Sequence, residues 1–145
     1  MSKFKNDLKK GEDGEDVIGD YFIEKGYQIQ KNLNKNGDFD IKLKKNNKII
    51  SLEVKTDEYY LKKRTNNMVF EVSCSGKPSG LNSTKADYYV YYFPEEKIAY
   101  VASPSKIKAI IGKCVTVMGG DKKASKLYLV DRTEWEKEFK IIKIN

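Results

Sequence analysis

The 145-residue chain contains no histidine. That absence excludes Ser-His-Asp and Cys-His nucleophilic catalysis, histidine metal sites, and histidine as a general acid or base. An enzyme built from this sequence must work with carboxylates, lysines and a hard cation. Cysteine is nearly absent too, with Cys74 and Cys114 the only two. They are expected as free, half-buried thiols, and without a histidine to help they cannot complete a four-ligand zinc site. No apolar run approaches the roughly 18 residues that span a membrane. The opening MSKFKNDLKKGEDGEDV carries charge with no apolar stretch behind it, so it does not read as a signal peptide. A cytoplasmic location is expected, in the host cytoplasm if the chain is viral.

Lysine is what the sequence has in abundance. Lys and Arg number 28 against 21 Asp and Glu, a net charge of +7. Such a balance attracts polyanions, nucleic acid foremost. Solvated lysines in a lysine-rich proteome would give the same figure. With 39% hydrophobic and 34% charged residues, the chain reads as one soluble domain over 1–145. Residues 1–11, polar and Lys-rich, are expected to fray.

The spacing of Val17, Ile18, Tyr21 and Phe22 predicts a helix from about Gly14 to Lys25, stopped by Gly26. YQIQKN reads as a short strand. DFDIKL alternates, with Phe39, Ile41 and Leu43 on one side and Asp38, Asp40 and Lys42 on the other. KKNNK is a hairpin turn into IISLEVKT, where Glu53 and Lys55 share a face opposite Leu52 and Val54. MVFEVSC, ADYYVYYF, KIAYVA, KCVTVM, KLYLV and KIIKI are further strands. Ser103-Pro104 is a helix start running to Ile111, and a short helix covers about Thr133–Phe139. The mixed order predicts an α/β or α+β fold around a central mixed sheet.

Asp40 on one hairpin strand and Glu53 and Lys55 on the next place two carboxylates and an ammonium among apolar neighbours. Charges there are costly unless they pair or bind a cation. Two or three carboxylate oxygens suit Mg²⁺, which keeps several waters. Glu15 heads the helix stripe of Ile18, Gly19 and Phe22 and is the fourth candidate, with Glu12 one turn earlier as its rival. Each feature alone has a plain structural reading, such as a surface ion pair, a turn aspartate or a dipole-favoured glutamate. The ordered set of helix Glu, strand Asp, hairpin and strand Glu-x-Lys is what chance seldom supplies.

GEDGEDVIGDYFIEKGYQIQKN, NGDFDIKL and ISLEVKT together resemble the PD-(D/E)xK nuclease superfamily, which has the restriction-endonuclease-like fold. Within it they resemble the archaeal-type Holliday junction resolvases and small phage nucleases. The resemblance implies a core of helix, three antiparallel strands, helix and a further strand. It also implies Mg²⁺-dependent hydrolysis of DNA phosphodiesters, with Mn²⁺ as substitute. The family's helix glutamate falls on Glu15, eleven residues before Gly26, and its Glu-x-Lys falls on Glu53 and Lys55. Its Pro-Asp falls on Phe39-Asp40, so the proline is missing. Asp40, Glu53 and Glu15 would hold the metal. The motifs span residues 11–57. Beyond them, RTNNMVFEVSCSGKPSGLNSTKADYYVYYF departs from the resolvases and resembles uncharacterised phage-type members.

In that second half Glu71 alternates with Phe70 and Val72. It is a candidate further ligand, or a partner for Lys55, if it shares the face of Glu53. Lys62, Lys63 and Arg64 follow the motif strand where phosphate contacts are natural. Lys77, Ser79, Ser83 and Thr84 sit on a Gly/Pro loop that offers cations, hydroxyls and backbone N–H groups to a phosphate backbone. Tyr59 and Tyr60 are placed to stack on bases or to pack a core edge. DNA is the expected partner, and a homodimer would supply the two cuts that a duplex or junction needs. Two other readings fit the same sequence: a non-catalytic nucleic-acid-binding protein on this fold, and an antagonist of host defence.

Overall fold

The computed structural model describes residues 3–32, 38–57, 65–119 and 124–144, with side chains from Gly14 onward. Helix α1 spans Lys3–Glu24, longer at its N-terminus than the periodicity predicts; residues expected to fray continue the helix. Its end is where the sequence puts it. Gly26 has φ 94°, its N–H bonds the Ile23 carbonyl, and the Tyr27 N–H reaches back to Phe22. That double closure needs a left-handed residue, which glycine adopts freely.

Strands β1 (Gln28–Lys31), β2 (Ile41–Lys45) and β3 (Lys48–Thr56) form an antiparallel run. Asn46 and Asn47, at φ 52° and 67°, make the two-residue turn between β2 and β3. Asparagine tolerates that conformation, and the turn's twist matches the hairpin. Strands β4 (Asn67–Cys74) and β5 (Lys77–Pro78) come next, followed by a 3-10 turn at Gly80–Asn82. Then come β6 (Tyr88–Phe93), β7 (Ile98–Ala102) and α2 (Pro104–Ile111), the last capped by Ser103 Oγ on the Lys106 N–H. Strands β8 (Val115–Gly119) and β9 (Ser125–Asp131) precede α3 (Arg132–Trp135), a 3-10 turn at Glu136–Glu138, and β10 (Lys140–Lys143).

The strands make two sheets. The larger has the order β1-β2-β3-β6-β7-β10, mixed because β3 and β6 run parallel. The smaller, antiparallel, has the order β5-β4-β9-β8. The resemblance implies a helix between the motif strand and the parallel strand. Among the described residues the path from β3 to β6 runs through β4, β5 and the 3-10 turn, and residues 58–64, directly after β3, lie outside the described residues. MVFEVSC is a strand of the second sheet, paired with β9.

Each face of the large sheet has its own core. On one face Ile18 of α1 packs with Ile41, Leu43, Leu52, Val90, Tyr92, Ala99 and Ile142. Burying a side chain such as Ile18 contributes roughly 2 kcal/mol. On the other face Tyr89, Tyr91, Phe93 and Tyr100 meet Met68, Phe70, Val72 and Val130 of the second sheet and Ile107, Ile110 and Ile111 of α2. The fold is thus α/β, a central mixed sheet flanked by helices and backed by a smaller sheet. No helix among the described residues is long and apolar enough to cross a membrane. Cys74 is exposed and Cys114 partly buried, and both are free.

Candidate active site

Asp40 stands one residue before β2. Its N–H donates to the Leu52 carbonyl at 2.8 Å, and its Oδ2 accepts from the Val54 N–H at 2.7 Å. Backbone and side chain together pin the carboxylate against β3, beside Glu53. Phe39 does not join Ile41 and Leu43 as the alternation predicts. The strand begins at Ile41, and the Phe39 ring lies under Lys42, whose ammonium is 4.8 Å from the ring centroid.

Glu53 is half-buried in β3, and its pKa is pushed up to about 7. Burial is the main cause; the charges of Asp40 and Glu15 add to it, while a hydrogen bond from Thr84 Oγ1 at 3.3 Å works the other way. Glu15 is brought within reach by a close approach of α1. A methyl group at Gly14 would lie 1.9 Å from Thr56 Oγ1, so the helix rests on β3 where only glycine fits. Three of the four carboxylates and ammonium expected from the sequence thus act on one another: Glu15, Asp40 and Glu53. Lys55, the fourth, is half-buried two residues along β3 and is paired in register with Tyr91 of β6.

Glu71 lies on β4 of the second sheet, which packs on the face of the large sheet that carries Tyr89 beside Glu53, and its charge acts on Tyr89 together with those of Glu53 and Asp40. Its carboxylate accepts from Ser79 Oγ at 2.8 Å and shows no pairing with Lys55. Gly80 makes room for that arrangement: at φ 50°, a methyl group there would sit 2.5 Å from the Glu71 carbonyl oxygen. The Gly/Pro loop therefore spends hydroxyls on carboxylates. Ser79 binds Glu71, Thr84 binds Glu53, and Ser83 turns back to the Gly80 carbonyl. Lys77 is exposed on β5. The side chain of Glu12, and Tyr59, Tyr60, Lys62, Lys63 and Arg64, lie outside the described residues.

Three side chains around β3 escape the sequence patterns. Thr84 ties Glu53 to the loop ahead of β2 through the Asp38 carbonyl, 3.3 Å away. Tyr89 sits directly beside Glu53 in the parallel ladder, and burial and the charges of Glu53, Asp40 and Glu71 hold its proton on. Asp57, buried at the end of β3, accepts from the Tyr91 hydroxyl at 2.7 Å. The β3–β6 pairing places Tyr89 and Tyr91 beside β3, and the aromatic run YYVYYF is the one signal the sequence offers.

The donor set suits a hard cation. Carboxylate oxygens are the atoms Mg²⁺ prefers, and a carboxyl lifted by burial and by two acidic neighbours is one that a cation would relieve. Among the described residues no three acidic or cysteine side chains stand close enough to cage a metal. A pair completed by water is within the habit of Mg²⁺.

Neither a family model nor a curated protein sequence matches this chain. Among solved structures, that of a bacterial homing endonuclease, I-Ssp6803I, is similar at a TM-score of 0.58 and 18% identity. The likeness covers 85% of this chain and 77% of that one. At that identity it is a likeness of fold.

Proposed function

We propose that this protein is a metal-dependent DNA endonuclease, a Mg²⁺-dependent phosphodiesterase that uses Mn²⁺ as substitute. The observation that carries the reading is the state of Glu53: half-buried, raised to about 7, and crowded by Asp40 and Glu15, with Lys55 two residues on. A native fold seldom tolerates such crowding without a use for it. The fold shared with a homing endonuclease and the net charge of +7 support DNA as the partner.

Asp40 and Glu53 would hold the metal as a pair completed by water, with Glu15 acting through one of those waters; when bound, the metal would polarise the phosphoryl oxygen and lower the pKa of its water. Asp40 is fixed by the Val54 N–H, so its carboxylate is oriented before any ligand arrives. Thr84 steadies Glu53 in the same way. Lys55 is placed to orient the attacking water or to stabilise charge developing on the phosphate. The Mg²⁺ role and any preference for branched DNA belong to this proposal.

Incubation of the protein with branched, duplex and single-stranded DNA, with and without Mg²⁺ or Mn²⁺, tests it. Metal-dependent cleavage that Glu53→Ala and Lys55→Ala abolish is expected. Inactivity of the wild type on all three, or undiminished cleavage by the variants, would sink the reading. The spacing of the acidic side chains among the described residues, where no three stand together, favours a second reading. In it the chain binds nucleic acid without cutting, with salt-sensitive affinity that needs no metal.

A further inference from the structure

Tyr89 and Tyr91 stand two apart on β6, with both rings in the core shared by the two sheets. Both rings pack against Phe70, at centroid distances of 5.3 and 5.5 Å. Their hydroxyls differ. That of Tyr91 donates to Asp57 and accepts from the Val69 N–H at 3.1 Å. That of Tyr89 has no hydrogen-bond partner among the described residues, although the residue is only 6% exposed. No fully enclosed side-chain oxygen among those residues lacks a partner. The Tyr89 hydroxyl therefore borders an opening.

A hydroxyl at such an opening, with no bond to the described residues, is free to donate to whatever enters there. The surroundings define the ligand's chemistry. Tyr89 lies beside Glu53 in the ladder, and its neighbour along β6, Tyr91, lies beside Lys55. Glu53 takes its own bond from Thr84, and Asp40 takes one from Val54. The phenol hydroxyl has a proton to donate, and Glu53 stands beside it in the ladder. A donor between carboxylates and a lysine suits an anionic oxygen that arrives with a cation.

We propose that Tyr89 is a substrate-contacting residue whose hydroxyl donates a hydrogen bond to a phosphoryl oxygen of a nucleic-acid backbone seated over Asp40 and Glu53. The inference rests on the nuclease reading above and adds a contact to it. Tyr91, its near twin, is purely structural.

Tyr89→Phe removes one oxygen and leaves the ring in place. It is compared with wild type and with Tyr91→Phe by single-turnover cleavage of duplex and branched DNA with Mn²⁺, by Mn²⁺ binding, and by Tm. Loss of a hydrogen bond to a charged group predicts cleavage lower by roughly 10- to 100-fold in Tyr89→Phe, with Mn²⁺ binding and Tm unchanged. Tyr91→Phe should lower Tm and leave cleavage below the transition intact. Wild-type cleavage by Tyr89→Phe overturns the proposal, as does a loss of rate matched by a loss of Tm. If wild type cuts nothing, the nuclease reading fails by itself. The Tyr89 contact is then judged by affinity for the uncut DNA with Ca²⁺: weaker binding by Tyr89→Phe keeps it, and equal binding overturns it.

Discussion

Thr84 Oγ1 stands 3.3 Å from Glu53 Oε2 and 3.3 Å from the Asp38 carbonyl oxygen, and it accepts from the Ala86 N–H at 3.2 Å. One hydroxyl thus joins the loop before β6, the loop before β2 and the carboxylate of β3. Its bond to Glu53 favours the charged form. Thr84→Val should therefore raise the Glu53 pKa above about 7. Metal binding and cleavage would then begin at a higher pH, and Thr84→Ser should restore them. Cleavage followed across pH reads the shift; an acid limb that does not move in Thr84→Val would refute it.

The same carboxyl makes stability depend on pH. Glu53 titrates at about 7 in the fold, against an ordinary 4.5. Between those values the folded protein holds a proton that the unfolded chain releases, so stability falls as pH rises from 4.5 to about 7 and stays low above that. Glu53→Gln abolishes this step. Discounted for solvent screening at a half-exposed group, the variant should gain on the order of 1–2 kcal/mol at pH 8. It should gain little at pH 4.5. Urea unfolding at the two pH values checks the difference.

Metal should reverse that penalty. Mn²⁺ binds the deprotonated carboxylates, so its effect on Tm should be small at pH 5.5 and grow through pH 7. Glu53→Gln and Asp40→Asn should each remove most of it, and chelation should return wild type to its metal-free Tm. A Tm rise that is equal in Glu53→Gln would place the cation elsewhere.

A second buried charge holds the fold, away from the site. Arg132, 7% exposed, makes a two-pronged pair with Glu96 and donates from Nε to Asn66 Oδ1 at 2.9 Å. Its guanidinium lies 4.2 Å over the Phe93 ring. It ties the end of the second sheet to the β6–β7 turn. Arg132→Ala should cost about 2–4 kcal/mol by orphaning Glu96 and Asn66. Cleavage per folded molecule should not change. Chemical denaturation together with active-site titration separates the two effects.

What was legible in the sequence was local. Helical spacing gave α1 and its glycine stop, alternation gave β2 and β3, and Ser103-Pro104 gave α2 with its cap. These fix Asp40, Glu53 and Glu15 near one another, because a hairpin and the helix before it are close in the chain. Strand partnership at long range was not legible. MVFEVSC reads the same in either sheet, and only packing sends it to the second, where Glu71 pairs with Ser79. For the same reason the internal bonds of the loop hydroxyls, Ser79 to Glu71 and Thr84 to Glu53, were not legible.

Gly14 offers a test in which propensity and packing oppose each other. Alanine in place of a mid-helix glycine ordinarily stabilises by about 1 kcal/mol. At Gly14 the added methyl would fall 1.9 Å from Thr56 Oγ1 and 3.2 Å from Thr56 Cβ. A β-branched strand residue cannot swing aside, so the helix must lift from β3. Gly14→Ala should therefore destabilise by roughly 1–3 kcal/mol. It should also move Glu15, the next residue, away from Glu53 and weaken metal-dependent cleavage beyond what the stability loss explains. Thr56→Ala removes the nearest contact, so the double variant should recover part of both losses. Thermal unfolding and cleavage rates of the two single variants and the double variant decide it. A Gly14→Ala protein more stable than wild type would mean that α1 does not press on β3 at this point.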